Sequence, residues 1–182
     1  MAVKHLPWRD VIPGDGPASS TSLLAEDAAA LAELARGKQV LELGAGFGYS
    51  TIVMALGGAA RIHTVDLFTT FGTSREALEQ NLAAYGVSDA VTIHQVDTSE
   101  VLGEFAKDSF DVAFVDANHE FRHEKRDVLL ALNLLKPGGY LAAHDYDEDC
   151  NPDVRRVLDD VFPGGPERVA GTLFIARKAV SG

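Results

Sequence analysis

Residues 39–58 read QVLELGAGFGYSTIVMALGG. The first five form a short apolar strand interrupted by a single carboxylate, Glu42. Gly44, Ala45 and Gly46 then permit a tight turn whose backbone can come close to a ligand, since glycine adopts conformations that a Cβ forbids. From Tyr49 the residues read as a helix that stops at the Gly57–Gly58 pair. Strand, glycine-rich turn and helix, in that order, make the first half of a βαβ unit, and the fold depends on whether the unit repeats.

It repeats. RIHTVD (61–66) is a second strand, and Thr73 with Glu76 makes a capping box opening a helix that carries Leu78, Leu82 and Tyr85 on one side. VTIHQVD (91–97) alternates as a third strand, and a short helix is expected over 99–106. FDVAFVD (110–116) is a fourth strand, apolar in its middle as in a parallel sheet covered on both faces. Phe121, Val128, Leu132 and Leu135 mark the stripe of the next helix, which KPGG (136–139) stops, and YLAAHD (140–145) is the fifth strand. Asn151 and Pro152 suit the N-cap and first position of a last helix reaching about Asp160, and ERVAGTLFIARK (167–178) reads as a closing hairpin. Upstream, Leu24, Ala28, Leu31 and Ala35 share a helical face that Gly37 ends. Residues 1–19 are rich in Pro and Gly and read as an irregular arm, a candidate lid carrying Trp8. The expected fold is α/β, a doubly wound, mostly parallel sheet with a C-terminal antiparallel hairpin, in one domain over 20–182.

Bulk properties narrow the function. The chain has 182 residues, 46% hydrophobic and 24% charged, with a formal net charge of −11. That balance argues against nucleic acid as a partner, because phosphate neutralisation needs a basic surface. Cys150 is the one cysteine and sits in the acidic run DYDEDCNPD, a setting that raises a thiol pKa and leaves it inert. The N-terminus carries no signal-peptide core and no apolar run approaches a membrane span, so a cytoplasmic protein without membrane contact is expected.

Parallel sheets bind ligands outside the carboxyl ends of their strands. The five strand ends carry Glu42, Asp66, Asp97, Asp116 and Asp145, which gathers negative charge along one edge. The turn departs from a dinucleotide fingerprint, since Tyr49 stands where G-x-G-x-x-G needs its third glycine and Gly48 falls one place early. A pyrophosphate would also face Glu42. A ligand bearing an ammonium or sulfonium would gain from the same carboxylate.

ELGAGFGYST is similar to the first motif of the class I S-adenosylmethionine-dependent methyltransferases. FVDANHEFRHEKRDVLLALNLLKPGGYLAAHDYD resembles the second half of the branch with catechol-type and natural-product O-methyltransferases, and the likeness runs from about residue 20 to 178. The resemblance implies the Rossmann-like class I fold with S-adenosylmethionine as cofactor. By it, Gly44, Ala45, Gly46 and Gly48 wrap the methionine part, and Glu42 supports the turn or the ammonium. Asp66 accepts from the ribose hydroxyls, as a carboxylate fits a vicinal diol. Asp97 and Thr98 lie where the family contacts adenine, and Ser50, Leu67 and Asp116 complete the cofactor set.

Two chemistries fit the remaining residues. In one, Asp116, His144 and Asp145 hold a divalent cation (Mg, Mn or Fe) that acidifies an acceptor hydroxyl; His144 departs from the acid or amide common in metal-dependent relatives and disfavours Mg. In the other, His119 or His144 is a general base while Asp116 engages the cofactor. The expected activity is methyl transfer to a small-molecule hydroxyl, with Phe68, Phe71 and Tyr146 as candidate acceptor-pocket residues and a homodimer as a candidate assembly. The rival from another class is a domain that binds the cofactor without transferring a methyl group. HEFRH (119–123) also matches the zinc-peptidase pattern H-E-x-x-H. It follows a buried strand directly, with Asn118 as the expected N-cap, so a coincidental match is expected.

Overall fold

The computed structural model describes residues 23–180, apart from 70, 71, 148 and 150. The arm over 1–19 with Trp8, and also Phe71 and Cys150, lie outside the described residues. Seven strands form one sheet in the order β3-β2-β1-β4-β5-β7-β6. They are β1 Gln39–Leu43, β2 Arg61–Val65, β3 Val91–His94, β4 Phe110–Val115, β5 Leu135–Ala143, β6 Arg168–Ala170 and β7 Leu173–Arg177. The first five are parallel, while β7 pairs antiparallel with β5 and β6 with β7, which confirms the closing hairpin.

Among the described residues five α-helices cover the sheet: α1 Ala25–Ala35, α2 Tyr49–Leu56, α3 Arg75–Ala84, α4 Phe121–Leu134 and α5 Pro152–Val161. The strand period of two sorts the core into two layers. Val40, Val112 and Phe114 face a cluster with Leu31, Ile52 and Leu78 from α1, α2 and α3. Leu41, Leu43, Ala113 and Val115 face the other, with Val128, Leu134, Val157 and Leu158 from α4 and α5. This double burial is why β1 and β4 are nearly continuous apolar runs.

Three local expectations shift. The cap of α3 is Ser74, whose hydroxyl accepts from the Ala77 N–H, rather than Thr73. Asn118 is an Asx turn whose Oδ1 accepts from the Glu120 N–H, and α4 begins later, at Phe121. KPGG does not merely stop a helix: β5 starts at Leu135 and runs through it, with an irregular register against β4 between Phe110 and Val112. Between β3 and β4 the expected short helix is a 3-10 helix, Thr98–Gly103.

Neighbouring β1 and β4 lead to helices on opposite faces, so their carboxyl ends diverge and leave a crevice there. The glycine-rich turn and Asp116 flank that crevice.

Candidate active site

Two glycines explain how the crevice is shaped. Gly44 has φ +95°, and a Cβ there would overlap the Asp116 carbonyl and fall 2.8 Å from the Ala117 Cα. The turn after β1 therefore rests directly on the backbone leaving β4. Gly46 has φ +53° and nothing within 4 Å of where its Cβ would be, so it keeps the floor of the crevice open. Gly48 is the N-cap of α2, packed against Leu78, and lies outside the cleft lining.

Glu42 also lies beneath the site. It is fully buried, and its two oxygens accept from the hydroxyls of Ser50 (2.5 Å) and Thr51 (2.5 Å). It thus braces the first turn of α2 under the glycine loop, the first of the two roles expected for it. Burial pushes its carboxyl up to about 7, against the two hydroxyls.

The cleft encloses about 630 Å³, within the range of small-molecule sites. Gly44, Ala45, Gly46, Ser50, Asp66, Leu67, Asp97, Thr98, Asp116, His119, His144 and Asp145 all line it, so most of the expected residues converge. Asp66 reaches back to the glycine turn: Oδ2 accepts from the N–H groups of Ala45 (2.9 Å) and Gly46 (2.8 Å), and Oδ1 from that of Phe68 (2.6 Å). Asp97 caps the 3-10 helix, its Oδ1 accepting from the Ser99 N–H (2.9 Å) and hydroxyl (2.6 Å). Those bonds hold its carboxyl below the usual range.

At the β4–β5 side, Asp116, His144 and Asp145 offer ligand atoms all within 4.8 Å of one another. Asp145 has φ +58°, a left-handed conformation that turns the chain sharply after β5. His144 Nδ1 is 3.6 Å from Asp116 Oδ1 and 3.4 Å from Asp145 Oδ1. A cation with ligands at about 2.1 Å needs donors about 3.0–3.4 Å apart, so two carboxylates and an imidazole of the right chemistry stand close to that spacing and would have to draw in slightly to hold a metal ion. His119 Nε2 stands beside the same carboxylates, 3.3 Å from Asp116 and 3.6 Å from Asp145.

Behind His144 is a residue that sequence reasoning missed. Asp27 of α1 has no exposed surface, and its Oδ2 lies 3.3 Å from His144 Nε2. The same carboxylate accepts from the N–H groups of Leu24 (2.9 Å), Thr172 (2.9 Å) and Leu173 (3.3 Å). His144 is therefore bracketed by three carboxylates. Burial opposes its charge, but Asp116, Asp145 and Asp27 push its pKa up to about 12. The hydrogen bond to Asp116 raises His119 as well, against burial. Burial pushes Asp116 up, yet the His144 and His119 imidazoles outweigh it and leave the carboxyl below its usual range. Two further carboxyls, Glu124 and Asp127 of α4, are each 1% exposed; burial pushes Glu124 up to about 8. Both lie at the buried spacing of α4 with Val128 and Ala131, the one signal in the sequence that could have found them.

Two acceptor-pocket expectations fail. Tyr146 turns away from the cleft: its hydroxyl donates to Asp159 (2.7 Å) and its ring packs on Phe174. Phe68 packs against the core under α1–α3 and is not among the lining residues. HEFRH is not a metal pair, because His119 precedes the first residue of α4 and bonds to Asp116, while His123 sits inside the helix beside Glu120 at 3.3 Å.

A seven-stranded, mostly parallel sheet with a reversed final hairpin, a glycine turn at its switch point and carboxylates after β2, β3 and β4 defines a class I S-adenosylmethionine-dependent methyltransferase of the O-methyltransferase branch. Residues 41–146, more than half of the chain, match the methyltransferase domain family, and the chain belongs to that family. Its sequence is similar to a catechol O-methyltransferase of Mycobacterium tuberculosis (strain ATCC 25618 / H37Rv), at 29% identity over 72% of this chain and 71% of the relative. Its fold is similar to that of the O-methyltransferase TomG from Streptomyces achromogenes, involved in tomaymycin synthesis and solved in complex with SAM. That likeness has a TM-score of 0.66 and 22% identity, over 88% of this chain and 82% of the other. It is also similar to an O-methyltransferase from Bacillus cereus solved in complex with SAH, at a TM-score of 0.63 and 19% identity over 85% and 80% of the two chains. S-adenosylmethionine is accordingly the cofactor. No helix among the described residues is long and apolar enough to cross a membrane.

Proposed function

We propose that this enzyme methylates a hydroxyl of a small molecule held beside Asp116, His119, His144 and Asp145. The observation that carries the reading is the convergence of two carboxylates and two imidazoles at one side of the cofactor cleft. The net charge of −11 supports a small acceptor over nucleic acid.

In methyl transfer the acceptor oxygen attacks the methyl carbon as the carbon–sulfur bond breaks, and the hydroxyl proton must leave. Ala45, Gly46 and Asp66 position the cofactor, and the glycine turn brings its methyl group toward Asp116. Asp116, His144 and Asp145 are the residues that would hold a divalent cation. Such an ion lowers the pKa of an acceptor hydroxyl and fixes its direction. Asp27 orients His144 so that Nδ1 faces the cluster, the usual arrangement behind a ligating imidazole. His119 stands where it can relay the acceptor proton.

One observation favours a second, metal-free reading: Asp27, Asp116 and Asp145 each stand within 3.6 Å of His144, which favours its protonated form in place of a metal ion. His144 then has no lone pair to act as base, and the role falls to His119, whose raised pKa moves the rise of activity to higher pH than a free imidazole would give.

Product analysis by mass spectrometry with catechol and a panel of other alcohols and phenols, in chelator and in excess Mg or Mn, tests both. Methyl ethers formed only with metal support the cation. Ethers formed equally in chelator, at a rate climbing with pH, support the histidine base. Methylation confined to amine or carbon acceptors overturns hydroxyl transfer, and binding without turnover favours the binding-only domain.

A further inference from the structure

We propose that Asp127, rather than Asp97, selects the adenine of the cofactor by accepting a hydrogen bond from its exocyclic amine. The inference rests on the cofactor reading above and adds a residue to it.

At the β3 side of the cleft one buried acceptor is left over. Thr98 follows β3, is buried, and donates its hydroxyl to Asp127 Oδ1 at 2.8 Å. Arg126 closes the same knot: Nε donates to Asp127 Oδ1 (2.9 Å), and a terminal nitrogen donates to the Thr98 hydroxyl (2.6 Å). A second terminal nitrogen lies 3.4 Å from Asp97 Oδ1, the oxygen already occupied in capping Ser99. Asp127 Oδ1 is thus saturated, while Asp127 Oδ2 is buried and has no hydrogen-bond partner among the described residues. Asp127 lines the cleft. A buried carboxylate oxygen without a donor is costly, and a ligand that brings an N–H removes that cost.

The order of the strands says which N–H arrives. The methyl group must meet the acceptor beside Asp116 and Asp145, after β4 and β5. Asp66, after β2, serves the ribose. β3 is the edge beyond β2, four strand spacings or about 19 Å from β5. The far end of S-adenosylmethionine is adenine, whose 6-amino group is a donor only. Arg126 offsets the Asp127 charge, so that a neutral base can lie against it.

Calorimetric titration of the full chain with S-adenosylhomocysteine and with S-inosylhomocysteine reads the assignment directly. The inosyl compound presents a carbonyl oxygen where adenine has its amine. The wild-type chain is expected to bind the adenosyl compound at least ~10-fold more tightly, the scale of a hydrogen bond to a charged group. In Asp127→Asn, whose amide also offers a donor, the gap is expected to narrow to about threefold or less. Should that variant not fold, Asp127→Glu keeps the charge but displaces the oxygen, and is expected to lose adenosyl affinity with little change for inosyl. A wild-type chain that binds both compounds equally overturns the assignment alone, as does a gap that closes in Asp97→Asn and persists in Asp127→Asn. A folded wild-type chain that binds neither overturns the cofactor reading as well.

Discussion

Glu42 is a carboxyl with no exposed surface whose charge would sit in the core beneath the glycine turn. Its folded pKa, about 7, stands above its ordinary value of 4.5. As pH rises, the unfolded chain therefore gives up this proton first. The stability this group confers is complete below about pH 4.5, declines up to about pH 7 and then stays level, a loss of roughly 3 kcal/mol over the interval. Glu42→Gln keeps an acceptor and cannot ionise. Calorimetric melting at pH 5 and pH 8 should show the wild-type chain losing about 6–12 °C more than the variant across that range. Equal losses would mean that Glu42 is ionised in the folded state throughout. Asp66 and Asp97 are held by backbone N–H groups instead, Asp66 by those of the glycine turn after β1 and Asp97 by that of Ser99 in the 3-10 helix it caps.

At the scale of elements, the turn after β1 separates folding from binding. Gly44→Ala drives a methyl group into the Asp116 carbonyl at a backbone angle that L-residues resist. It should cost more than about 2 kcal/mol and displace the chain after β4. Gly46→Ala meets nothing within 4 Å and carries only the left-handed cost of roughly 1 kcal/mol, but its methyl group enters the cleft. Thermal melts paired with S-adenosylhomocysteine titrations should find Gly44→Ala unstable, and Gly46→Ala near wild-type stability with weakened binding. The elements themselves were legible because strand runs and helix stripes repeat with different periods. The boundaries were less so. Ser74 and Thr73 are equivalent caps on paper, and only the backbone path decides between them. KPGG signals a break by composition, yet the sheet draws it into β5.

Across the whole molecule, the site residues at strand ends were readable, while Asp127 in the cleft and Asp27 and Glu124 behind it were not. Asp116, His144 and Asp145 converge because β4 and β5 are neighbours in register. Asp27, Glu124 and Asp127 lie on helices, where an acid reads as solvated unless its position on the buried face is weighed. Asp27 shares its face with Leu31 and Ala35, the sign that it turns inward. It joins α1 to the β6–β7 turn and to His144, so Asp27→Ala strands several buried donors at once. A loss of roughly 3–5 kcal/mol, or about 10–15 °C in melting temperature, is expected, with Asp27→Asn intermediate. An Asp27→Ala melt within about 2 °C of wild type would refute the link.

The same link has a consequence for synthesis. Asp27 leaves the ribosome long before its partners, which stand 117 residues later at His144 and 145 residues later at Thr172. A nascent chain can build the glycine turn and much of the parallel sheet while His144 still lacks the support of a properly anchored Asp27. Chains broken off before residue 172 keep the cofactor turn but not the completed clamp. Unfinished copies that retain the glycine turn should consequently bind the methyl donor without transferring its methyl group.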